Sequence, residues 1–127
     1  MVEPLVSSCI PIIPCADLAK SLRFWVDGLG FGVESEMRDE GRLTFCMLRS
    51  GSLRFMLNRR GGDAGTPAGG EGIRLYWAPA DLVEARQRLQ SLGFDASDIV
   101  ERDYGQTEFF LTDVDGHSHC FGVPTNA

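Results

Sequence analysis

The chain says nearly the same thing twice. Ala16-Asp17-Leu18, a helical stretch and Leu29-Gly30-Phe31 return as Ala80-Asp81-Leu82, a helical stretch and Leu92-Gly93-Phe94. A short apolar run precedes each block, Ile10–Cys15 in the first and Ile73–Pro79 in the second, and strand-like segments follow. Self-similarity at nearly constant spacing marks two copies of one supersecondary unit, each needing the other to bury its apolar face. Two copies related by a pseudo-twofold axis are expected to leave a cleft between them, and function is sought there. At 127 residues the chain has room for one core and not for two. The expectation is a single domain over 1–127: a first module at 9–58, a Gly-rich linker at 59–71 and a second module at 72–123.

Within the first copy, Ile10–Cys15 reads as a short strand whose Pro11 and Pro14 favour a sheet edge. Asp17 stands where a helix N-cap belongs, and Leu18, Leu22, Trp25 and Leu29 recur at helical spacing. Gly28 and Gly30 end that helix. Phe31–Met37, Leu43–Arg49 and Leu53–Asn58 read as strands, with turns at Asp39-Glu40-Gly41 and Ser50-Gly51-Ser52. The stretch Arg59–Gly72 is glycine-rich but lacks the Gly-Lys-Ser/Thr ending of a phosphate loop, so it reads as a connector. The second copy repeats the scheme with a strand at Ile73–Ala78, a cap at Asp81 and an apolar stripe of Leu82, Ala85, Leu89 and Leu92. Weak strand signals at Phe94–Ser97 and Ile99–Arg102 precede stronger ones at Thr107–Thr112 and His117–Val123, joined by the turn Asp113-Val114-Asp115-Gly116. The predicted architecture is α+β, two tandem βαβββ modules with helices on one sheet face and a cleft on the other.

Composition narrows the function. A net charge of −6 argues against nucleic-acid binding, which needs a basic surface. No apolar run approaches membrane-spanning length, and Met1–Ser8 shows no basic leader, so a cytoplasmic protein is expected. Cys9, Cys15, Cys46 and Cys120 lack paired metal-site spacing and are expected as free thiols.

Strand alternation assigns faces. Ile10, Ile12, Phe45, Met47, Met56 and Asn58 are expected to face the cleft from the first copy. Arg74, Tyr76, Glu108, Phe110, Thr112, Ser118 and Cys120 do so from the second. Such an aromatic and thioether-rich surface suits a flat, amphipathic ligand held by stacking. The candidate ligand-binding residues are therefore Ile12, Phe45, Met47, Met56, Arg74, Tyr76, Glu108, Phe110 and Cys120. The plainer alternative is that they bury one another or a dimer partner. Glu108 could act as a lone base or pair with Arg74. No catalytic residue is assigned, because Cys120 and its neighbour His119 point to opposite faces. His119 is expected under the helix and His117 exposed at the turn.

Ile10-Pro11-Ile12-Ile13-Pro14, Asp17-Leu18, Ser21-Leu22, Phe24-Trp25 and Leu29-Gly30-Phe31 resemble the opening strand and helix of the vicinal oxygen chelate superfamily. Tyr104 through Phe109, Asp113-Val114-Asp115-Gly116 and Phe121-Gly122 are similar to the final hairpin of its glyoxalase/bleomycin-resistance branch. Metal-dependent members carry His, Glu, His and Glu at four positions that are here Ile10, Met56, Arg74 and Cys120. An apolar side chain, a thioether, a cation and a thiol do not make a hard-metal site, so no metal and no cofactor is expected. The resemblance implies a homodimeric, non-catalytic binder that sequesters an antibiotic or similar planar, cationic small molecule. Phe45, Tyr76 and Phe110 would stack on it, Glu108 would attract it and Arg74 would orient it. The branch often carries Trp at the position of Tyr104 and Arg at that of Thr107, so no particular drug specificity carries over. The alternative from the same superfamily is a metal-dependent glyoxalase-, dioxygenase- or thiol-transferase-like enzyme drawing on Glu108, His117 and His119. A sensory module whose ligand modulates a partner is a third.

Overall fold

Both copies begin alike in the computed structural model of the chain, which describes residues 3–59 and 73–126. Almost all of the connector expected at 59–71 lies outside the described residues. In the first copy β1 (Ile12–Cys15) leads into α1 (Leu18–Leu22), which continues as a π-helical turn over Arg23–Gly28. Three strands follow, β2 (Gly32–Asp39), β3 (Arg42–Ser50) and β4 (Leu53–Arg59). The second copy runs β5 (Arg74–Trp77), α2 (Leu82–Ser91), β6 (Val100–Glu101), β7 (Gln106–Thr112) and β8 (Ser118–Pro124). The two four-stranded sheets share one topology, β1-β4-β3-β2 and β5-β8-β7-β6, with the opening strand parallel to the last and all other pairs antiparallel. This is the α+β, twice-βαβββ architecture. β1 lies at an edge, where prolines without an N–H are tolerated.

Local chemistry explains the shared start. Asp17 and Asp81 are extended, and their carboxylates accept the backbone N–H of Lys20 at 3.4 Å and Glu84 at 3.0 Å. Each cap satisfies one of the orphan donors of a helix N-terminus. Each Leu-Gly-Phe marker ends its helix with a glycine in the left-handed region, Gly30 at φ 84° and Gly93 at φ 91°. At the second, the Phe94 N–H returns to Leu89 O at 3.0 Å, closing the motif that only glycine enters cheaply.

Two expectations change. Periodicity placed Trp25 on the apolar stripe and omitted Phe24, yet both are buried. The Leu29 N–H reaches back five residues to Phe24 O, and the extra residue in this wider turn brings two consecutive aromatic rings inward. In the second copy no strand forms over Phe94–Ser97, and Ile99–Arg102 shrinks to the two residues of β6. Ser97 stitches this segment to β7 instead: its N–H donates to Phe110 O and its Oγ accepts from Phe110 N, both at 2.9 Å.

One apolar cluster joins the inner faces of both sheets through the helices. Trp25 lies at its centre, with ring centroids 4.9 Å from Phe55, 5.6 Å from Phe31 and 5.8 Å from Trp77 of the other copy. The core therefore lies between the copies, and the opposite face of each sheet is the open one.

Polar groups lock this arrangement at the turn Asp113–Gly116. Asp115 reaches into the first copy, accepting the Ala16 N–H at 2.8 Å and the Ser21 hydroxyl. His117, expected to be exposed, is fully buried, because its Nε2–H donates to Pro14 O at 2.7 Å across the same seam. His119 is buried under the helix as expected, accepting from Trp77 Nε1 at 3.0 Å and donating to Asp113 Oδ2 at 2.7 Å. Removing Asp115 would leave the part-buried Ala16 N–H unpaired and the Ser21 hydroxyl with Asp17 O alone, at 3.1 Å. Asp115→Ala should therefore lower unfolding stability by about 2 kcal/mol, read as a reduced urea midpoint with an unchanged slope.

Candidate functional site

The open face of the second sheet is built in rows, because residues paired across strands project side by side. Arg74, Ser118 and Thr112 form one row over β5, β8 and β7. Tyr76, Cys120 and Phe110 form the next, and Gly122 and Glu108 continue the face beyond it. A cavity of about 470 Å³ lies over these rows. All its lining residues fall between Arg74 and Cys120.

Glu108 anchors the site. Only 4% of its surface is exposed, and its carboxylate accepts from Tyr76 Oη at 2.6 Å, Tyr104 Oη at 2.7 Å and Arg102 Nε at 3.4 Å. The expected pairing with Arg74 is thus replaced by one with Arg102. Arg74 sits two rows away, next to Ser118 rather than Gly122.

Tyr76 reaches Glu108 by crossing β8 over Gly122. A Cβ on residue 122 would come within 2.7 Å of the Tyr76 ring carbon Cζ and 3.1 Å of Glu108 Cγ. Only glycine leaves that path open. Tyr104 arrives from a tight turn in which the Gly105 N–H donates to Arg102 O and the Arg102 N–H to Gln106 O at 2.7 Å.

Burial pushes the Glu108 carboxyl up, but the hydrogen bonds from Tyr76, Tyr104 and Arg102 more than reverse this and hold it below its ordinary value. Tyr76 is raised, first by burial and then by its bond to Glu108. Tyr104 is raised first by that bond and then by burial. The Cys120 thiol is also pushed up, by burial and by the nearby Glu108 charge, which makes it a poor nucleophile near neutral pH.

Of the nine candidate residues, the structure brings Arg74, Tyr76, Glu108, Phe110 and Cys120 together around this cavity. Ile12, Phe45, Met47 and Met56 do not join them. They form their own neighbourhood on the open face of the first sheet, where Met56 pairs with both Ile12 and Met47, and Phe45 with Asn58. The core between the copies holds the two open faces apart.

Sequence reasoning missed Arg102, Tyr104 and Gln106, whose side-chain amide lies 3.2 Å from Tyr76 Oη. The signal was present: residues 102, 104, 106, 108 and 110 share one parity. Carrying the alternation of β7 back through the turn would have put all of them on the open face. Of the four positions where metal-dependent relatives carry ligands, Arg74 and Cys120 line the cavity, whereas Met56 belongs to the first sheet and Ile10 precedes β1. No group of three or more metal-binding side chains occurs among the described residues. The donor set does not fit a hard divalent metal.

The sequence profile of the Glyoxalase/Bleomycin resistance protein/Dioxygenase superfamily matches residues 7–121. Among solved structures, a bleomycin-binding protein in complex with bleomycin superimposes at a TM-score of 0.68 with 20% identity, covering 92% of this chain and 98% of that one. TnmS3, an antibiotic-binding protein from Streptomyces sp. CB03234, gives 0.72 with 18% identity over 96% and 99%. SMU.1112c gives 0.75 with 22% identity over 94% and 100%. At these identities the likeness establishes the fold. No protein of curated function matches the sequence.

The chain has two tyrosines, and both donate to Glu108, so phenolate absorbance reports on this site alone. The depressed carboxyl adds stability above its ordinary value of 4.5, lost as pH falls through its lower folded value. The raised phenols add stability below their ordinary value of 10.0, lost as pH rises through their higher folded values. In an alkaline titration both tyrosines should ionise above pH 10.0 in the native chain and closer to it in Glu108→Gln. Gly122→Ala should shift only one of the two, because it blocks the path of Tyr76 and leaves Tyr104 in place.

Proposed function

We propose that this chain, which belongs to the Glyoxalase/Bleomycin resistance protein/Dioxygenase superfamily, is a non-catalytic binder of planar small molecules. The observation that carries this reading is the pair of half-exposed aromatic rings, Tyr76 at 55% and Phe110 at 50%, standing beside a fixed polar cluster. Large aromatic side chains left open on a rigid sheet offer stacking area at small entropic cost, and a few fixed polar groups set orientation. Tyr76 is held by Glu108, and the Phe110 backbone is pinned by Ser97. Neither has to be ordered when a ligand arrives, which removes part of the usual cost of binding.

The residues present favour binding over chemistry. The carboxylate that could serve as a base is saturated by three donors, and the thiol beside it is held protonated. His117 and His119 are fully buried in the seam and unavailable as ligands. Proteins of this fold include one complexed with bleomycin and one described as antibiotic-binding, which supports sequestration of an antibiotic or similar natural product as the role.

The chain acts as a homodimer in this reading. Ile12 at 58%, Met37 at 63% and the two aromatic rings leave apolar area exposed on both sheets, and a second copy would cover part of it. Ile12, Phe45, Met47 and Met56 would then complete the ligand site from the partner. No described helix is long and apolar enough to cross a membrane, and the four cysteines are unbridged, which suits the cytoplasm.

Titration with planar polycyclic antibiotics, followed by the fluorescence of Trp25 and Trp77, tests the proposal. Saturable quenching is expected, weakened about five- to tenfold in Phe110→Ala, the loss of one stacked ring being worth about 1–1.5 kcal/mol. The unfolding free energy should stay within about 1 kcal/mol of the parent, because Phe110 lies outside the apolar core. Absence of saturable binding across the panel overturns the reading. Elemental analysis after dialysis against zinc, nickel and manganese should find well under one metal per chain, and one equivalent would point to metal-dependent chemistry instead.

A further inference from the structure

The charges around the cavity run opposite to those of the chain. The whole sequence carries −6, yet the charged side chains lining the cavity are Arg74, Arg102 and Glu108. The single carboxylate is buried and already engaged by Arg102 and two phenols. Its negative charge is therefore not on offer to a ligand, and a second arginine remains over. Arg74 is exposed, and no carboxylate of the described residues pairs with it. Arg102 spends only its Nε on Glu108 and is 39% exposed.

The rows make the asymmetry directional. Arg74, Ser118 and Thr112 lie side by side on adjacent strands, so one guanidinium and two hydroxyls form an edge of donors. The neighbouring row of Tyr76, Cys120 and Phe110 is the stacking surface. A flat ring lying on that second row would have its end against the first. Repulsion from distant acidic residues is screened beyond about 8–10 Å at physiological salt, whereas a guanidinium in contact is not. The local pair of arginines therefore decides the sign.

We propose that the open face of the second sheet selects an anionic aromatic ligand, a carboxylate, sulfonate or phenolate whose ring stacks on Tyr76 and Phe110. Its charge is held by Arg74 with the hydroxyls of Ser118 and Thr112. This rests on the small-molecule reading above and reverses the cationic ligand expected from Glu108 and the overall charge.

A matched probe pair separates the two claims: 1-anilinonaphthalene-8-sulfonate and N-phenyl-1-naphthylamine share a ring framework and differ by the sulfonate. Fluorescence titration of the full chain at low ionic strength should show the sulfonate binding about tenfold more tightly or better, as a charge-assisted hydrogen bond implies. That advantage should shrink with added salt. Arg74→Gln should remove most of it while leaving the neutral probe unchanged, Arg74→Lys should keep part of it, and Lys20→Gln on α1 should change neither. Equal affinity for both probes, each weakened by Phe110→Ala, overturns the charge selection and leaves the small-molecule reading standing. A sulfonate preference that survives Arg74→Gln overturns the assignment to this row. Binding of neither probe, together with no antibiotic binding, overturns both.

Discussion

Two buried carboxylates in one four-residue turn hold the two halves of this molecule in register. Asp113 folds its own turn, accepting the N–H groups of Asp115 and His117, and its second oxygen accepts a hydrogen bond from His119 Nε2. Asp115 then captures the start of the first helix through Ala16 and Ser21. Apolar contact alone would let the copies slide, because burial is non-directional. Hydrogen bonds from this turn to Ala16 and Ser21, from His117 just after it to Pro14 O, and from Trp77 to His119, which Asp113 holds, fix the relative position of both sheets. Trp77 shows the coupling: its indole N–H is anchored on His119 while its ring meets Trp25 and Phe55 of the other copy.

With the inner faces committed to that core, the open faces are free to differ. The first carries Ile12, Phe45, Met47 and Met56, with no charge among them. The second carries a carboxylate clasped by two phenols and an arginine. Glu108 would be costly to bury alone. Three donors offset that cost, and two of those bonds hold Tyr76 and Tyr104 in place. A charged residue here acts as a positioning device for aromatic rings. The path of Tyr76 depends in turn on the missing side chain at Gly122, so one glycine on β8 decides whether the cluster forms.

Much of this was legible in advance where the signal is local. Asp17 and Asp81 as caps, the left-handed glycines of the two Leu-Gly-Phe markers and the hairpin turns joining β2 to β3, β3 to β4 and β7 to β8 follow from short-range rules. The burial of His119 and the openness of Phe110 follow from parity on a strand. What stayed hidden depends on more than one segment. His117 looked like a turn residue because nothing near it in the chain reveals that Pro14 O lies 2.7 Å away. Phe24 was left off the helix stripe because a π turn changes the periodicity that defines a stripe. Arg74 seemed the natural partner of Glu108 until the register placed it two rows off.

The sequence by itself determined the repeat, the two sheets, the helix ends and the absence of a hard-metal donor set at the four familiar positions. Each of these is written in residue identity and spacing. Tertiary structure decided which faces would meet. It put the aromatic core between the copies beside a cavity of about 680 Å³ lined from both of them, separated the nine candidate residues into two groups and turned Glu108 from an attracting charge into an internal anchor. Those outcomes depend on where buried donors find acceptors in the other half of the chain, and no local pattern encodes that distance.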